Sequence, residues 1–214
     1  MMTEALKINA LPLSGETCLH KAETAMTDTA RIQKIALHFR EIMQVLGLDL
    51  RDDSLAGTPE RVAKMYVREI FSGLDPLNKP EINLFGNNYG YRNMLLEKDI
   101  TLYSTCEHHF VPIIGKAHVA YIPGEKLIGL SKINRLVQYL ARRPQVQERL
   151  TIQIAEAMCD ALGHENVAVL IEADHLCVAS RGIKDISSKT ITAHYMGKFS
   201  NEELKKEFLH HLNK

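Results

Sequence analysis

The chain has 214 residues, 45% apolar and 24% charged, and its 26 basic and 26 acidic side chains cancel to a formal net charge of zero. That is the composition of a soluble globular protein long enough to bury a core. The charge balance gives no reason to expect nucleic acid or an anionic membrane as partner, so any anion site has to come from local clustering of bases. No apolar run approaches the ~20 residues that span a bilayer, and the first thirty residues show no basic-then-apolar leader; the expected location is the cytoplasm.

Residues 1–26 are the least patterned and read as an N-terminal extension. An N-terminal helical region follows over 27–98. From Asp28 the apolar residues Ile32, Ile35, Ala36, Phe39, Met43 and Leu46 recur at helical spacing, with Gly47 as a stop. Thr58-Pro59 reads as an N-cap followed by proline in the first turn, opening a helix with Val62, Met65, Tyr66 and Ile70 on one side, Arg61 and Lys64 in its first turns, and Gly73 beyond.

From residue 99 to 214 the pattern changes. DITLYST (99–105) and KAHVAYI (116–122) are predicted strands. Ser131 is predicted to cap a helix carrying Ile133, Leu136, Val137 and Leu140, and Pro144 to interrupt it and start a second, with Val146, Leu150, Ile154, Ala157 and Leu162, closed by Gly163. VAVLIEA (167–173) and the stretch near 189–195 are predicted strands. Ser200 with Glu203 has the form of a capping box for a last helix containing Leu204 and Phe208. The order β-β-α-α-β-β predicts an α+β domain, an antiparallel sheet with helices on one face, whose exposed edges oligomerisation would close.

Four cysteines without an export signal favour burial or metal over disulfides. Cys159 sits in a helical pattern and reads as a small core residue; Cys18 has no visible partner. Cys106-Glu107-His108-His109 places a thiol and an imidazole three apart where a strand meets a turn. His175-Leu176-Cys177 places another pair two apart, on one face if the strand continues. Cys106, His109 and Cys177 would supply the three-ligand set of a catalytic zinc, leaving His108 and His175 free beside it. Spacing alone leaves a second reading open, in which both thiols are simply buried and the histidines are ordinary polar residues.

The run Gly129-Leu130-Ser131-Lys132-Ile133-Asn134-Arg135 places Lys132 and Arg135 on one side of a helix whose N-terminal amides attract anions. A solvated basic face fits the same spacing. Gln147-Glu148 falls early in the next helix. A carboxylate there can accept two parallel hydrogen bonds from guanine's N1–H and 2-amino group, and adenine cannot offer that pair; an ordinary surface helix residue fits the same position. Arg181, just beyond Cys177, offers a bidentate phosphate contact or an exposed turn residue.

Four stretches resemble the GTP cyclohydrolase I family: TPERVAKMYVREIFSGLD (58–75), STCEHHFVPIIGKAHVAYIP (104–123), IGLSKINRLVQYLARRPQVQERLT (128–151) and HLCVASRGI (175–183). The resemblance runs from about residue 30 to the C-terminus, with the motifs in the family's order. It implies hydrolysis of GTP to formate and 7,8-dihydroneopterin triphosphate, the first step of folate and pterin biosynthesis. It implies a Zn²⁺ cofactor on Cys106, His109 and Cys177. His175 would be general acid/base with His108 assisting and Ser131 also counted among the catalytic groups. Ser131, Lys132, Arg135, Arg61 and Arg181 would hold the triphosphate, and Gln147 with Glu148 the guanine. The fold implied is the tunnelling fold over 99–214, whose units assemble into barrels, here a homodecamer of two pentamers with shared sites.

The sequence departs from the family's pattern at Ala179, Ser180 and His194. The rival from another class is a noncatalytic guanine-nucleotide-binding protein with a structural zinc, against which the free His108 and His175 speak. A nearer rival, another tunnelling-fold enzyme acting on a pterin or deazapurine, would share the glutamate but not this Cys-x-x-His with a distant cysteine.

Overall fold

The computed structural model describes residues 26–214. The reading of an extension over 1–26, with Cys18, falls outside the described residues except for Met26.

α1 (Asp28–Val45) starts where the Thr27 hydroxyl accepts from the Ala30 N–H at 3.3 Å. It ends as expected at Gly47, whose φ of 79° supplies the left-handed turn. Asp52 caps the single turn α2 (Asp53–Ala56) by accepting from the Ser54 N–H. In α3 (Thr58–Met65), Thr58 is the first helical residue and not its cap; Gly57 holds the cap position and makes no side-chain bond. The helix predicted to run on past Ile70 loosens into a π turn, Tyr66–Ile70, then two 3₁₀ turns, Ser72–Leu74 and Pro76–Asn78.

The chain then enters β1 (Leu84–Gly86), β2 (Leu95–Cys106), β3 (Pro112–Tyr121) and β4 (Lys126–Ile128). After them come α4 (Leu130–Ala141), β5 (Pro144–Gln145), α5 (Gln147–Leu162), β6 (Val167–His175) and α6 (Leu176–Ala179). β7 (Thr190–Tyr195) and α7 (Glu202–Leu212) complete it. β1 pairs with β4, and the main sheet runs β5-β2-β3-β6-β7, antiparallel apart from the short β2–β5 pair. The β-β-α-α-β-β order of a tunnelling-fold unit is therefore present, in an α+β architecture.

Alternation along the strands divides the sheet into two faces. Val119, Tyr121, Val167, Val169 and Ile171 meet Ile133, Leu136, Val137 and Leu140 of α4 and Leu150, Ile154 and Met158 of α5 in the main core. The intervening Ala120, Ile122, Ala168 and Leu170 pack against Phe199 and Phe208, so α7 covers part of the second face. Each large apolar side chain so buried contributes about 1.5–3 kcal/mol before entropy is counted. In β2 a register shift between Glu97 and Ile100, with Asp99 at φ 60°, lets Leu95 and Ile100 both face the helices.

Several predicted boundaries move. Gly129, not Ser131, holds the cap of α4, leaving Ser131 exposed inside its first turn. Pro144 opens a strand pairing with Thr105, and α5 starts only at Gln147. Asn201, not Ser200, caps α7, accepting from the N–H groups of Glu203 and Leu204. Among the described residues no helix is long and apolar enough to cross a membrane.

Candidate active site

Cys106 is the last residue of β2 and is buried. The turn after it is closed by the Phe110 N–H donating to the Cys106 carbonyl at 2.8 Å and the Cys106 N–H donating to the Val111 carbonyl at 2.9 Å. Phe110 sits at φ 55°, the left-handed region that a bulky residue rarely adopts, and its ring meets Phe71 edge-on at 5.3 Å. The turn is thus braced by the N-terminal helical region as well as by the sheet.

The strand expected to carry both His175 and Cys177 ends at His175; Cys177 lies in the one-turn helix α6. The chain bends just where β6 runs past the mouth of β3, and that bend turns the Cys177 sulfur toward Cys106. Ligand atoms of Cys106, His109 and Cys177 all lie within 4.8 Å of one another. The Cys106 sulfur is 3.8 Å from Nδ1 of both His108 and His109, but only His109 belongs to the group that includes Cys177. Arg181 donates from Nη1 to Nε2 of His109 at 2.9 Å, leaving Nδ1 as the ring nitrogen facing the cysteine.

The donor set fits a divalent soft cation. Burial first, and then the adjoining Cys106 sulfur, push the Cys177 thiol above its ordinary value. Two thiolates packed together repel, and a metal between them reverses that cost.

His175 is half-buried; burial lowers its pKa from the ordinary histidine value, opposed by the charges of Glu148 and Asp174. Its Nε2 lies 2.8 Å from Oε1 of Gln147, the first residue of α5. Gln147 itself is 2% exposed, and its amide nitrogen donates to the carbonyls of Ile171 and Thr190 and to the Thr192 hydroxyl at 3.0–3.1 Å. Glu148, next along the helix, is exposed.

The fold therefore gathers Cys106, His108, His109, Cys177, His175, Gln147, Glu148 and Arg181 around one end of the sheet. Ser131, Lys132 and Arg135 lie elsewhere, on the first turns of α4, and Arg61 on α3 donates to the Ser54 carbonyl and the Thr58 hydroxyl. Arg135 borders a cavity of about 350 Å³ with Arg68 and Arg142. Sequence reasoning missed Arg149, which donates to Glu107 in the loop after β2, and the Thr151–Thr192 pair behind Gln147; both depend on contacts between distant segments, for which no local motif exists.

The family model for GTP cyclohydrolase I matches residues 35–213. The chain is 58% identical over 187 residues to GTP cyclohydrolase 1 of Flavobacterium johnsoniae, covering 87% of this chain and 84% of that protein. Against GTP cyclohydrolase 1 of Erwinia tasmaniensis identity is 56%, covering 91% and 88%. Against that of an Escherichia coli strain it is 55%, covering 96% and 93%. With this match spanning strands, helices and the cysteine–histidine cluster alike, the chain belongs to the GTP cyclohydrolase I family.

Proposed function

We propose that the chain carries out the GTP cyclohydrolase I reaction, hydrolysing the purine ring of GTP to release formate and yield 7,8-dihydroneopterin triphosphate, in the cytoplasm, as the entry to folate and pterin synthesis. The observation that carries this reading is the convergence of Cys106, His109 and Cys177 within 4.8 Å of one another, with His175 two residues before Cys177.

Cys106, His109 and Cys177 would hold Zn²⁺, which when bound would supply the Lewis acidity for activating water near neutral pH. His175 moves the proton at N7; burial lowers its pKa, against the charges of Glu148 and Asp174. His108, exposed beside Cys106, assists proton transfer. Glu148 accepts from guanine N1–H and the 2-amino group, and an adenine would leave that carboxylate unpaired. Ser131, Lys132, Arg135, Arg61 and Arg181 hold the triphosphate, Ser131 also standing by the reacting sugar.

These bases are too dispersed along one chain to meet a single substrate, which supports a site completed by neighbours in a homodecamer of two pentamers. The exposed Ile183, Ile186 and Ile191 beside the β7 edge, and Leu37, Ile42, Val45 and Leu46 on α1, are the apolar surfaces such an assembly would cover. Purified protein incubated with GTP, with and without zinc chelation, tests the reading by formate and by the fluorescence of the oxidised pterin. Both products are expected, and both should vanish on chelation; neither product from zinc-loaded, assembled protein would turn the assignment to a nucleotide-binding protein.

A further inference from the structure

Gln147 was expected to touch guanine, yet its amide is already used inside the protein. Two of the three acceptors around its nitrogen are backbone carbonyls, Ile171 at 3.1 Å and Thr190 at 3.0 Å, which can only accept. Turning the amide over would press Oε1 against both of them. The third acceptor is settled by the hydroxyls behind it. Thr151, one turn along α5, donates to the Gln147 carbonyl at 2.8 Å. Thr192 must then donate to Thr151 across their 2.7 Å contact, and its own oxygen is left to accept from Gln147. The two amide protons thus face acceptors only, three of them sharing two protons, and Oε1 presents only lone pairs to His175 Nε2 at 2.8 Å. A bare Nε2 would set lone pair against lone pair in a buried place.

We propose that Gln147 is a positioning residue that fixes the ring of His175 through its Nε2–H, leaving Nδ1 as the ring nitrogen available to the substrate. The inference rests on His175 being the proton carrier proposed above. It moves Gln147 from contact with the purine to control of the group that does the chemistry.

Two measurements test it. Neutron diffraction from deuterated crystals of the zinc-loaded protein should show a deuteron on Nε2 of His175 directed at Gln147; a bare Nε2 overturns the proposal whatever the protein's activity. In zinc-loaded Gln147→Met, kcat should fall by about a hundredfold while KM for GTP stays within about twofold and zinc content is unchanged. A raised KM with intact kcat would overturn it and return Gln147 to the purine. Full turnover in His175→Ala would instead remove the underlying reading, a separate outcome from either of these.

Discussion

Arg149 and Glu107 close an ion pair between the first turn of α5 and the loop that carries His108 and His109. The guanidinium is set in advance: its Nε donates to Gln145 Oε1 at 3.0 Å and its Nη2 to the Pro144 carbonyl at 3.1 Å. Gln145 is fully buried and held in turn by donating to the Leu140 carbonyl and to Gln153. The glutamate between Cys106 and His108 is thus part of that loop's support.

Arg149→Met should therefore weaken zinc binding by about tenfold or more, the usual effect of removing a group that orients a ligand loop. Competition with a chromogenic chelator measures it. An unchanged zinc affinity would mean that the backbone bonds of Cys106, Glu107 and Phe110 hold the loop without help.

Glu148→Gln should cost GTP binding about 1–3 kcal/mol, the penalty of an unmatched hydrogen-bonding pair, with zinc content unaffected. Calorimetry with GTP on the zinc-loaded, His175→Ala background keeps the ligand intact during titration. Equal affinity in the two proteins would remove Glu148 from guanine recognition.

His118 provides a pH test remote from the site. It is 7% exposed on β3 and accepts from the Asp99 N–H through Nδ1 at 3.1 Å, fixing the strained bulge of β2. Burial is the first cause lowering its pKa; Asp99 and Glu172 oppose this, while Lys116 and Lys98 add to it. The unfolded chain then binds more protons than the folded one below the ordinary histidine value of about 6.5. The stabilising contribution is complete above that value and is lost as pH falls from it toward the folded pKa, by at most about 1.4 kcal/mol per pH unit. In His118→Asn the amide oxygen can keep the Asp99 bond without titrating. Denaturant midpoints at about pH 7.5 and about pH 5.5 should show a smaller acid loss in the variant than in the parent; parallel losses would exclude His118 as a source.

Gly73 joins the N-terminal region to the end of α4. Its N–H donates to the Arg142 carbonyl at 3.0 Å, its carbonyl accepts from Arg143 at 2.8 Å, and a Cβ there would collide with the Tyr139 and Arg142 carbonyl oxygens. Gly73→Ala is expected to lower stability by about 1–3 kcal/mol through overpacking, seen as a fall in Tm. A Tm equal to the parent's would show that this junction yields freely.

Most of the fold was legible because strand and helix periodicities are long and clean: the apolar positions of α4, 133, 136, 137 and 140, are the ones buried. The grouping of Cys106, His109 and Cys177 was named from thiol and imidazole spacing, which alone left a buried-thiol reading open, and the fold brings their ligand atoms within 4.8 Å of one another. Caps were misread at Thr58, Ser131 and Ser200: the cap positions belong to Gly57, Gly129 and Asn201, the last two with extended backbone. Side-chain identity alone does not decide where a helix begins. The bend between His175 and Cys177 was hidden as well, since a strand end depends on where its partner stops: β3 begins its pairing with β6 at Ile113 opposite His175. Gln147 was the deepest miss. Adjacent to Glu148 in sequence, it points into the protein while its neighbour points out, and its partners on β6 and β7 are 24 to 45 residues away.

The Gln147 amide grips the outermost strand, through Thr190 and Thr192, with one end and His175 with the other. Edge strands open at lower free energy than the centre of a sheet. When β7 lifts, the amide keeps only its bond to Ile171 and the imidazole is held less firmly, although the core of β2, β3 and β6 stays intact. Catalytic failure should then precede melting: rising denaturant would extinguish turnover in a protein whose circular dichroism is still native, and any neighbouring surface that clamps β7 would bring the two transitions together.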